Sequence, residues 1–144
     1  MTDVDLRVER RVDAPPADVY RYLTDSVLWA RWQGASAEIE AVAGGRFRMV
    51  MANGASAEGR IVRLEPDARV IFTWGWTGSP TVPPGSSTVE IELTPDGDGT
   101  MIRLTHRGLP TDDQASHLVG WQHYLPRLGI AAGGGDPGVD PFPG

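Results

Sequence analysis

Three groups in this chain can move a proton or anchor a polar ligand, and their spacing gathers them together. His106 continues the alternation of Ile102 and Leu104, so on a strand it shares their face. His117, Trp121 and Tyr124 stand at i, i+4 and i+7, a single stripe of a helix. If that strand and that helix face each other, His106 with His117 or Tyr124 makes an acid–base set of the kind a cofactor-free cyclase, hydratase or aldol-type enzyme uses. The plainer alternative for His106 is a buried imidazole that bonds a backbone carbonyl. By the same alternation Phe47, Met49 and Met51 share one face of a strand, and Val70, Phe72, Trp74 and Trp76 share another. A hollow lined by Met49, Met51, Phe72, Trp74, Trp76 and Trp121 suits a hydrophobic or aromatic small molecule, with methionine adapting to irregular shapes. The competing reading is a filled core that binds nothing.

Composition removes other chemistries. There is no cysteine, which excludes thiolate nucleophiles, disulfides and thiolate metal sites. All 13 cations are arginine and the net charge is −6, so neither Schiff-base lysine chemistry nor a basic surface for nucleic acid or membrane is expected. His117 and His123 lie six positions apart, about 240° around a helix, with no carboxylate at a ligand-compatible spacing, and no metal site is expected. No Gly-x-Ser-x-Gly elbow occurs, and Gly133-Gly134-Gly135 follows a helix instead of opening one, so no phosphate loop is expected either. No cofactor is implied.

These groups need elements to hold them. Val4, Leu6 and Val8 alternate with charged residues, predicting a strand over 4–12. Pro15-Pro16 opens a short helix through Asp25, and a second helical stretch holds 27–32 until Gly34. Six strands follow at 36–42, 46–52, 57–65, 69–76, 87–95 and 100–107, divided by turn signals such as Asn53-Gly54. In 57–65, Ala57, Gly59 and Ile61 compete with Val62 and Leu64 for the interior; the second outcome would bring Glu58 and Arg60 to the mouth of the hollow. A long helix begins at Thr111, where Gln114 suggests a capping box, and buries Leu118, Trp121, Leu125 and Leu128. Pro126 predicts a bend near Gln122 or an early loss of regularity. The proline-stiffened loop 78–85 is a candidate gate, and Trp29 and Trp32 are expected to close one end of the core. The architecture is therefore α+β: about seven strands in a curved antiparallel sheet around one long C-terminal helix, with a gap between them.

The series Ala14-Pro15-Pro16, Trp29…Trp32, Gly44-Gly45-Arg46-Phe47, Glu65-Pro66, Phe72-Thr73-Trp74, Leu104-Thr105-His106 and Gly120-Trp121 resembles the START-like or Bet v 1-like (SRPBCC) superfamily over residues 6–130. Within it the chain is similar to single-domain proteins of the activator of heat shock protein 90 ATPase homologue family. The resemblance implies the helix-grip fold. It also implies one of three roles, namely a carrier or sensor of a small molecule, an enzyme of cyclase type, or a chaperone-regulator-like interaction protein. The leading expectation is a binding module, monomeric or homodimeric, without nucleic-acid or membrane partners. One domain is expected over 1–132 with a Gly/Pro-rich tail over 133–144, anchored by Phe142. The start MTDVDLRVERR is charged where a secretory leader would be apolar, and with the missing cysteine this points to the cytoplasm.

Overall fold

The alternation near the start becomes strand β1, Leu6–Val12, in a computed structural model that describes residues 5–140. Helix α1, Pro16–Thr24, follows, with Val19 and Leu23 turned inward. Proline is tolerated at its start because the first N–H groups of a helix have no helical partner. The Asp25 carboxylate accepts from the Leu28 N–H at 3.0 Å and caps the single turn of α2, Ser26–Trp29. Gly34, at φ 81°, closes the turns beyond it; a side chain there would be strained and would also strike Met49.

Six strands then run in order: β2 (Ser36–Ile39), β3 (Arg46–Val50), β4 (Ser56–Glu65), β5 (Arg69–Trp74), β6 (Ser87–Asp96) and β7 (Gly99–Arg107). Every neighbouring pair is antiparallel, in the order β1-β7-β6-β5-β4-β3-β2, so β1 alone leaves the meander to pair with β7. Strand β2 stops short of Val42 because the chain already turns there, with Val42 N–H bonded to the Glu40 carbonyl. In β4 the register shifts between Ile61 and Arg63, an irregularity of the kind that bends a strand. It settles the competition within that strand. Before the shift Ala57 and Ile61 are buried and Glu58 lies on the outer face with Arg46, Arg48 and Thr77; after it Leu64 packs against the core while Val62 is 51% exposed.

Helix α3, Thr111–Ala132, packs against β1 and α1. The expected capping box does not form: the helix begins one residue earlier, with Pro110 as its cap and Asp113 N–H bonded to the Pro110 carbonyl. Thr111 thus lies inside the first turn, and the Gln114 amide reaches the Leu109 carbonyl instead, at 3.3 Å. Regularity also persists through Pro126 to Ala132. Trp121, Leu125 and Leu128 are buried as the spacing predicts, and Leu118 is partly so. At Gly129 the helix crosses β1 so closely that a Cβ would run into the Val12 side chain.

One end of the concave face is filled by rings. Trp29 touches Trp32 with centroids 4.5 Å apart, and Phe47 touches Phe72 at 4.5 Å. This closes the core beside α2, as expected of the two tryptophans. On the outer face the buried Glu90 is held by Arg69 at 3.1 Å and Arg107 at 2.7 Å, which compensates the charge the sheet has partly desolvated. Among the described residues, no helix is long and apolar enough to cross a membrane.

Candidate functional site

The aromatic filling stops at Trp74. Beyond it, between α3 and the strand ends, a half-open pocket of about 680 Å³ is bordered mainly by apolar groups, within the range typical of small-molecule sites. The meander brings Met51, Ala55, Trp74 and Trp76 to one wall; α3 contributes the stripe Asp113, Ser116, His117, Gly120, Trp121 and Tyr124 to the other. Gln33 comes from the turn after α2. Six of the nine residues singled out from sequence therefore meet here: Met51, Trp74, Trp76, His117, Trp121 and Tyr124. Met49, Phe72 and His106 do not border the pocket; Met49 and Phe72 are completely buried in the core behind it.

His106 is 0% exposed and its hydrogen bonds fix its protonation. The Trp121 indole N–H can only donate, and it lies 3.1 Å from His106 Nδ1, so that nitrogen holds a lone pair and the proton sits on Nε2. Nε2–H then donates to the Ser87 hydroxyl at 2.8 Å, which donates in turn to the Trp74 carbonyl at 2.8 Å. Burial, reinforced by the nearby His117, pushes the His106 pKa down to about 3. A ring whose two nitrogens are both engaged must break a buried bond before it can accept a proton.

His117 is arranged in the opposite sense. Its Nε2 accepts from the Trp76 indole N–H at 3.1 Å, and its Nδ1–H donates to the Asp113 carbonyl at 2.8 Å. Burial lowers its pKa, and the Asp113 contact partly restores it. The rings of His106 and His117 meet edge to face at 5.3 Å. Tyr124 donates its hydroxyl to the Asp140 carboxylate at 2.6 Å; burial first, and that carboxylate second, raise its pKa. Asp140 also meets His123 at 2.8 Å. Arg127 bonds the Trp32, Pro137 and Gly138 carbonyls, so the described part of the tail lies along α3; Phe142 falls outside the described residues.

None of residues 78–85 borders the pocket, although Thr81 bonds Asp113, which does. Glu58 and Arg60 do not reach it either. Among the described residues no cluster of His, Asp and Glu could hold a metal ion. Three polar residues of the pocket, Gln33, Asp113 and Ser116, were missed by the sequence reading. Asp113 carried a signal, since it lies four residues before His117 on the same stripe. Gln33 carried none.

The family model described as "Activator of Hsp90 ATPase homolog 1-like protein" matches residues 13–133. The human activator of 90 kDa heat shock protein ATPase homolog 1 is 27% identical over 109 residues, which are 76% of this chain and 31% of the human protein. The chain thus spans about a third of the curated relatives it matches. Among solved structures, an AHSA1-like protein from Rhizobium etli is 42% identical, with a TM-score of 0.71 and coverage of 99% of this chain and 91% of that one. A protein of the dynemicin biosynthetic locus is 26% identical, with a TM-score of 0.80 and coverage of 94% and 49%.

Proposed function

The chain belongs to the activator of Hsp90 ATPase homolog 1-like family, and from that footing we propose that it is a carrier or sensor that binds a hydrophobic or aromatic small molecule in the pocket beneath α3. The observation that carries this reading is the pocket itself, bordered by three indoles, a phenol and a thioether, where the sheet and helix leave space unfilled. Removing apolar ligand surface from water supplies roughly 25 cal/mol per Å², and the ring faces orient a flat guest. The likeness to a protein of a biosynthetic locus is in keeping with a small organic ligand. A catalytic role for His106 with His117 or Tyr124 draws less support, because each imidazole already has both nitrogens bonded.

The test is a thermal-shift screen against aromatic and lipid libraries, repeated on Gly120→Leu. A Cβ at Gly120 meets nothing within 4 Å, so the leucine can occupy the pocket without disturbing the helix. A true ligand at 100 times its Kd stabilises the protein by about 2.7 kcal/mol and loses this effect in the variant. If no compound shifts the wild type, or if the shift survives Gly120→Leu, the pocket is not the binding site.

A second reading rests on the likeness to the human activator, and makes the chain a chaperone-regulator-like interaction protein. Stimulation of a 90 kDa heat shock protein's ATPase by the purified chain, unaffected by Gly120→Leu, would favour it.

A further inference from the structure

Two nearly buried residues border the pocket with polar atoms that have no partner. Trp74, 2% exposed, has an unpaired Nε1–H, and Gln33, 5% exposed, has an unpaired Oε1. A third atom at the pocket, Asp113 Oδ2, is also buried and unpaired, while its sister oxygen accepts from Thr81. Such atoms are costly in a folded interior unless something meets them. The other polar side chains of the pocket are already committed: Trp76, His117 and Trp121 satisfy one another or His106, Ser116 donates to the Asp113 carbonyl, and Tyr124 is bonded to Asp140. The unpaired set is thus one donor and two acceptors, and no arginine borders the pocket among the described residues.

We propose that the Trp74 N–H and the Gln33 oxygen form a polar subsite that selects an uncharged aromatic ligand carrying a carboxamide-type group, with a carbonyl for Trp74 and an N–H for Gln33. This rests on the small-molecule reading above and narrows it to a ligand chemistry. An amide also complements Gln33 whichever way that side-chain amide is turned, since each offers both a donor and an acceptor. A carboxylate ligand has no N–H for Gln33 and enters a pocket that already holds the Asp113 carboxylate and, among the described residues, no arginine, so the site discriminates against anions. An amine can donate to Gln33 but leaves the Trp74 N–H unpaired.

One scaffold with three charges tests this. Binding of indole-3-acetamide, tryptamine and indole-3-acetate is measured by titration calorimetry, beside naphthalene as a purely apolar probe read by tryptophan fluorescence. The amide is expected to bind at least about tenfold more tightly than the acetate, with the amine between them. In Gln33→Leu and in Trp74→Phe the ratio of amide to naphthalene affinity falls about five- to tenfold, which separates a lost hydrogen bond from a damaged fold or a reshaped wall. Acetate binding as tightly as the amide overturns the proposal, as does an amide preference unchanged in both variants. Should naphthalene bind while the three indoles do not differ, the subsite falls and the pocket reading stands. Should none of the four probes bind, the subsite falls, and the library screen decides the pocket reading.

Discussion

His106 offers the sharpest test of the reasoning, because its neutrality has a measurable consequence for stability. In the unfolded chain its imidazole titrates near the ordinary value of 6.5, whereas burial holds it at about 3 in the fold. Between those values the unfolded state binds a proton that the native state refuses. Stability is therefore full above about pH 6.5 and falls as pH drops toward about 3, below which this residue contributes no further slope. Each pH unit inside the window costs about 1.36 kcal/mol, so the wild type should lose about 2 kcal/mol on going from pH 7 to pH 5 through His106, and about 3 kcal/mol by pH 4. Carboxylates and His117 titrate over the same range, so the comparison is with His106→Gln, which keeps a polar side chain but not the titration. Urea unfolding read by the five tryptophans gives both stabilities at each pH. The variant starts lower at pH 7, having lost a bond to Ser87 or Trp121, and the gap should narrow by about 2 kcal/mol at pH 5. If the two proteins lose stability in parallel, His106 is not the neutral buried ring described, and the hydrogen-bond assignment from Trp121 is wrong.

Gly120→Ala should raise stability by up to about 1 kcal/mol, since alanine is the better helix former and its methyl meets only open space, and should weaken naphthalene binding; a lower Tm would contradict this. Arg127→Ala removes donors to three carbonyls, two of them in the tail, and should cost roughly 1–2 kcal/mol. Limited proteolysis read by mass spectrometry should then cut within residues 133–140, and equal protection in both proteins would show that Arg127 does not hold the tail.

The meander was legible because alternation and turn residues agree: Val89, Ile91 and Leu93 on β6, and Ile102, Leu104 and His106 on β7, are buried as their parity requires. Strand β4 was not decidable, because a register shift at Ile61 breaks the parity on which the reading depends. Three residues of the pocket followed from the 117–121–124 stripe, and Met51, Trp74 and Trp76 followed from strand parity. The remaining expectations failed for separate reasons. Alternation gives a face without a position along the trough, so it could not tell Met51, at the open end, from Met49 and Phe72, under the ring cluster. Gln33 sits in a turn where no period operates; its N–H bonds the Trp29 carbonyl, and its neighbour Trp32 packs on Trp29 and donates to the Tyr22 carbonyl.

A concave sheet with a helix on it would ordinarily settle until the gap closed, since interiors pack near crystal density. Here two bonds of opposite sense resist that. Trp121 on α3 donates to His106 on β7, and Trp76, just past β5, donates back to His117 on α3. Each joins two rigid planar rings, so the pair sets the separation of helix and sheet and fixes both indoles at the pocket wall. Moving α3 inward would leave indole N–H groups and imidazole lone pairs buried without partners, a cost of about 1–3 kcal/mol for each. The walls are consequently ordered before any ligand arrives, and association need not immobilise them. The histidines thus shape the hollow through the tryptophans they hold, which accounts for its border of indole rings with His106 sealed behind it.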